Sequence, residues 1–178
     1  MSACPARSMP PTPCSADGPT HRSLAPNSFA WTIPCTRTTP VKFTRWFYGT
    51  PERSYLLALV PVIKKFMDEL DIRAENVIFL GSSAGGYAAL YLANVMSGTN
   101  AFALAPQIMP GAWQNGRYNK NFRRLGIDLL AEDRFHRNEI VLTNKESRFF
   151  IVFNCLSHND SVQMERLFNN QGSGTRRY

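Results

Sequence analysis

The stretch from Val77 to Leu92 constrains this chain more than any other. Val77-Ile78-Phe79-Leu80 is wholly apolar and stops at Gly81, which fits a strand covered on both faces, as in a parallel sheet. Ala84 to Met96, dominated by Ala, Leu and Tyr, reads as a helix. Between them lies Gly81-Ser82-Ser83-Ala84-Gly85-Gly86, so the backbone must turn sharply at Ser83. This is the G-x-S-x-G pattern of a nucleophile elbow, which holds a serine at strained backbone angles. Small residues two positions to either side, Gly81 and Gly85, would keep Cβ atoms out of the crowded strand and helix. The helix N-terminus beneath the serine favours developing negative charge, and the Ala84 N–H would be one oxyanion donor. Gly and Ser also fill ordinary strand-to-helix turns, so the apolar strand before and the Ala-rich helix after carry the argument.

The same strand–helix alternation extends in both directions. Val41 to Phe47 alternates and is rich in β-branched and aromatic residues, predicting a strand. Thr50-Pro51-Glu52 has helix-start chemistry: a cap, a proline at the first position and an acid in the first turn. Leu56, Leu59, Val60, Ile63, Phe66, Met67 and Leu70 follow at helical spacing, with Pro61 expected to kink or split the helix. Ala101 to Ala105 reads as a second buried strand stopped by Pro106, Phe149 to Phe153 as a third, and Ser161 to Phe168 as a closing helix. Residues 110–126 look like a long excursion. The expected class is α/β, a three-layer, mostly parallel sheet flanked by helices.

Composition divides the 178 residues into parts. Eight of the twelve prolines and three of the four cysteines fall in residues 1–40, a stretch without apolar periodicity and expected to be a disordered tail. Residues 41–170 would form the folded domain, and 171–178 a flexible end. The net charge of +7 raises nucleic acid, but the basic residues are scattered and form no recognisable binding motif. No specific nucleic-acid partner is expected. No apolar run approaches the ~20 residues of a membrane span, and the start lacks a secretory signal, so a cytoplasmic location and no membrane partner are expected. Cys4, Cys14, Cys35 and Cys155 show no CxxC spacing, and neither a metal nor a disulfide framework is expected.

The run VIFLGSSAGGYAALYL, Val77 to Leu92, resembles the elbow of the α/β-hydrolase superfamily. The likeness is to small esterase-like members, including hydrolase-like proteins of bacterial surface-glycan systems. It extends over residues 41 to about 170, with the elbow as its specific part, and implies a partial α/β-hydrolase core. Ser83 then matches the nucleophile, and Asp160, just beyond the third strand, matches the triad acid. The implied chemistry is hydrolysis or transfer of a small-molecule or glycan acyl ester through an acyl-Ser83 intermediate, with no cofactor. The pattern departs at the end: the eighteen residues after Asp160 contain no histidine. The chain therefore looks like a shortened hydrolase. His158, two residues before Asp160, is the candidate base. The helix-cap alternative for Asp160 stays open. Gly49, in Trp46-Phe47-Tyr48-Gly49, is the candidate for the second oxyanion donor. A rival reading is a non-catalytic remnant or truncated isoform that serves as an interaction module.

Other residues have plainer expectations. His21 falls in the tail, and His136, within Glu132-Asp133-Arg134-Phe135-His136-Arg137, reads as part of a solvated surface. Tyr87 and Tyr91, four apart, should pack rather than bind substrate. Trp113, Arg117 and Tyr118 belong either to a lid or to an ordinary surface loop anchored by Trp113. Asp68-Glu69-Leu70-Asp71 reads as a solvated helix end. A sheet without outer strands exposes edges that invite association, so a homo-oligomer is possible.

Overall fold

A computed structural model describes residues 47–113, 116–124 and 126–170. The tail at 1–40, the end at 171–178 and all of the expected strand Val41–Phe47 except Phe47 lie outside them. Phe47 itself sits in a turn with φ 54°.

The first helix, α1, spans Tyr55–Glu69 and is capped by Ser54, whose Oγ accepts from Leu57 N–H. It therefore starts five residues after Thr50, the expected cap. Thr50-Pro51-Glu52-Arg53 forms a separate turn, closed by Arg53 N–H donating to Thr50 O at 3.3 Å. Proline with φ near −65° suits both the second residue of a turn and the first of a helix, so the local chemistry is the same. Pro61 does not split α1, which runs as one helix through it. Its front half faces the core: Leu56 is buried, and Leu57, Leu59, Val60 and Ile63 pack beside it. Phe66 and Leu70, expected on the same face, are exposed.

A 3-10 turn at Ala74–Asn76 leads into β1, Ile78–Ser82. Helix α2 (Ala84–Val95) and strand β2 (Asn100–Leu104) follow. Beyond them come a 3-10 turn at Pro110–Ala112, helix α3 (Arg117–Arg123), β3 (Arg148–Val152) and α4 (His158–Asn170). The excursion thus contains a helix whose polar sequence hid it, and α4 starts three residues earlier than expected. The strands form a parallel sheet in the order β1-β2-β3. Leu80 pairs with Phe102, and Phe102 with Phe150.

Helix α2 is the centre of the core. Tyr87, Leu90 and Ala93 are fully buried, together with Ile108, Leu129 and Phe122. Each large apolar side chain so buried contributes about 1.5–3 kcal/mol. Small residues on the facing side of β2, Ala101 and Ala103, are also fully buried and let the helix approach the sheet.

The opposite face of the sheet corrects the expectation of strands covered on both sides. Ile78 is 63% exposed, Leu80 74%, Phe150 53% and Val152 50%. Strand order equals chain order, so crossovers of one constant hand put their connections on one face. Two layers are present among the described residues where three were expected.

Candidate active site

The Gly81–Gly86 segment carries the chain from β1 into α2. Ser83 has φ 55° and ψ −120°, a backbone region that costs a non-glycine residue about 1–3 kcal/mol. Three contacts over-determine it. Its N–H donates to Leu104 O at 2.9 Å, so the sheet ladder runs one residue past β1. Its carbonyl accepts from Tyr87 N–H at 3.1 Å, opening the helix. The third lies just before it: a Cβ on Gly81 would stand 2.2 Å from Gly85 O, so strand and helix backbones meet at a distance only glycine allows.

The second close approach falls one residue later than the sequence pattern placed it. Around Gly85 nothing lies within 4 Å of where a Cβ would stand, whereas at Gly86 a Cβ would lie 3.1 Å from Pro106 Cβ. Gly85 contributes its carbonyl to the contact, and Gly86 the missing side chain.

The Ser83 side chain is exposed and caps no N–H of the first helical turn. Ala84, directly after it, is buried, with its N–H at the open start of α2. Ser83 Oγ accepts from Gln107 Nε2 at 2.5 Å. Gln107 was not among the residues singled out from sequence. It lies on the loop after β2 and is 2% exposed. That loop begins at Ala105, which has φ 43° and sits beside Ser83, because Ser82 and Leu104 are register partners. Two strained residues therefore adjoin at the carboxyl edge of the sheet, where open α/β sheets place their ligands.

None of the other expected partners hydrogen-bonds to the Ser83 side chain. His158 is exposed at the first position of α4, and its side chain makes no hydrogen bond to Ser83 or Asp160. Asp160 is 6% exposed, and its Oδ2 accepts from Asn154 N–H at 3.2 Å. The cap of α4 is Ser157, whose Oγ accepts from Asp160 N–H at 3.3 Å. Asp160 thus occupies the first turn and braces the preceding loop. Gly49 has φ 89° and forms an antiparallel bridge to Ser54, and a Cβ there would lie 2.1 Å from Arg53 O. Its glycine character serves the turn before α1.

Behind α2 lies a polar network, in the charged segment around His136, whose members the sequence did not single out. Arg137 is 1% exposed and grips Asp133 with three bonds, its backbone N–H and Nε to Oδ2 at 2.9 and 2.8 Å and Nη2 to Oδ1 at 2.7 Å. Its Nη1 donates to Tyr48 O at 2.5 Å and Thr50 O at 2.9 Å, and its guanidinium lies 3.9 Å from the Tyr48 ring centroid. Burial opposes the charge on Asp133, but the hydrogen bonds and charge of Arg137 prevail and hold the carboxyl below its usual range. Burial, reinforced by Asp133 and opposed by Arg137, pushes Tyr48 up to about 12. Tyr87 and Tyr91 are buried and donate to Arg137 O and Phe135 O, each at 2.6 Å. His136 is exposed on the same segment.

A groove of about 700 Å³ opens beside this network, with Tyr91, Met109, Leu129 and His136 among its walls. Ser83 and Gln107 do not line it. Trp113 and Tyr118 pack against the core, which matches the anchored-loop reading better than a lid. The side chain of Arg117 lies outside the described residues. Among the described residues no cluster of three or more His, Cys, Asp or Glu has metal-binding geometry, and no helix is long and apolar enough to cross a membrane.

Compared with protein-family models, curated proteins and solved structures, the chain matches none.

Proposed function

We propose that this chain is a serine hydrolase or acyltransferase of the carboxylesterase type, with Ser83 as nucleophile on a partial α/β-hydrolase core. The observation that carries this reading is the backbone of Ser83, φ 55° and ψ −120°, at a strand-to-helix turn on the carboxyl edge of a parallel sheet. Strain of this kind persists only where the surroundings enforce it, and it concentrates at functional positions. The turn lifts the hydroxyl into solvent over the first N–H groups of α2, where negative charge on a substrate oxygen is favoured. The substrate class is a small-molecule or glycan acyl ester, and the intermediate an ester of Ser83.

A second reading has its own observation. Ser83 Oγ is met by an amide N–H, which cannot accept a proton, and neither His158 nor Asp160 bonds to it. A serine without an aligned base is a weak nucleophile, and on this reading the sheet is an interaction module without turnover. Reaction with a fluorescent fluorophosphonate separates the two. The hydrolase reading expects labelling of wild type and none of Ser83→Ala, whereas equal absence in both folded proteins favours the module.

A further inference from the structure

Resting on the reading of Ser83 as nucleophile, we propose that the Gln107 side-chain amide is the second oxyanion donor of this site, acting with Ala84 N–H. An amide cannot serve as base, but a fixed N–H donor is what a developing oxyanion requires. Gln107 Nε2 already touches the reacting atom, Ser83 Oγ, at 2.5 Å.

The amide is also held before substrate arrives. Gln107 is 2% exposed, and its loop is pinned on both sides. On one side Ala105 N–H donates to Val152 O at 2.7 Å, and Pro106 lies against Gly86. On the other, Ile108 O accepts from Ile140 N–H at 3.0 Å, and Met109 N–H donates to Gln163 Oε1 at 2.7 Å. Gln163 is itself 1% exposed, so α4 fixes the loop from behind. Gly49, the donor expected from sequence, is committed to the turn before α1.

The chemistry balances without another group. Ser83 Oγ bonds to the ester carbon, the carbonyl pair moves onto its oxygen, and the hydroxyl proton passes to water, which reaches the exposed serine. The new oxyanion is on the same carbon as Oγ. An amide that meets Oγ before attack therefore reaches the oxyanion by a small side-chain rotation, toward the ~2.7–3.1 Å that such donors need. The carbonyl then reforms, and the alkoxide leaves with a proton from water. Water next adds to the acyl-Ser83 carbonyl, the bond from carbon to Oγ breaks, Oγ takes back a proton and the acid departs.

The test is hydrolysis of p-nitrophenyl acetate by the full chain, with Ser83→Ala, Gln107→Met and Gln107→Glu, each checked for cooperative thermal unfolding. Gln107→Met keeps the length and removes the donor. It should lower kcat about 100- to 1,000-fold with KM nearly unchanged. Gln107→Glu should be as slow near neutral pH and recover as pH falls through its carboxyl range, because only the protonated acid donates. A role in packing alone gives no such profile. A folded Gln107→Met with kcat within about threefold of wild type, beside an inactive Ser83→Ala, overturns the assignment and leaves the nucleophile in place. If Gln107→Met does not fold, a flat pH profile for Gln107→Glu overturns it instead. Wild type no faster than Ser83→Ala overturns both.

Discussion

Two glycines that look equivalent in the elbow pattern do different work. At Gly81 an added methyl would drive into the Gly85 backbone at 2.2 Å, whereas at Gly85 it would meet open space. Gly81→Ala should therefore destabilise the chain by at least about 2 kcal/mol or prevent folding, because neither backbone can yield cheaply. Gly85→Ala should fall within about 1 kcal/mol of wild type, with helix propensity on its side. Urea denaturation of both variants checks this, and equal midpoints would contradict the close approach. From sequence, the pattern located Ser83 correctly at the turn but could not say which small residues the contact requires. Gln107 gave no signal at all. It follows Pro106 in an aperiodic loop, and its contact with Ser83 spans 24 positions, so only the parallel register of β1 and β2 brings it there.

At the scale of elements, the core strands and α2 were legible because apolar runs and Ala-rich spacing are local signals. The starts of α1 and α4 were not, because turn and cap chemistries share residues: Pro51 fits both a turn and a helix start, and Ser157 caps where Asp160 was the candidate. The Asp133–Arg137 pair was hidden for another reason. A charged segment reads as solvated until tertiary structure buries it, here by joining the turn at 48–53 to the back of α2. Asp133→Asn leaves Arg137 buried without its counter-charge and should cost about 3–5 kcal/mol.

The same network sets a pH dependence. Asp133 has a folded pKa below its unfolded value, so its contribution is full above pH ~4 and fades as pH falls through the folded value. Tyr48 is raised to about 12, so its contribution holds below pH ~10 and is lost as pH climbs toward the folded value. Stability should be flat between about pH 5 and 9 and fall on both sides, with the acid limb altered in Asp133→Asn. An unchanged acid limb in that variant would count against the pair.

At the scale of the whole domain, the main surprise is a sheet face that no described element covers. Parallel sheets are almost always buried on both sides, yet Ile78, Leu80, Phe102, Leu104, Phe150 and Val152 are all exposed on one side, with Phe102 and Phe150 stacked at 6.5 Å. The sequence carried the apolar strands but not the number of layers, since an apolar run reads the same whether or not its second face is covered. A patch of this kind marks an interaction surface or a liability. It adds to the sheet edges as a cause of association, so the purified chain should associate in a concentration-dependent way. A Leu80→Lys/Phe150→Lys double variant should shift it toward monomer in light scattering. A wild-type monomer that binds no apolar dye would contradict this.

The central claim is that the fold holds Ser83 as a reactive nucleophile, and covalent trapping tests it most directly. After incubation with a fluorophosphonate, the full chain should gain one adduct, mapped by peptide mass to the segment containing Ser83 and absent from Ser83→Ala. A folded wild type that gains no adduct, or carries it equally in Ser83→Ala, would contradict the account.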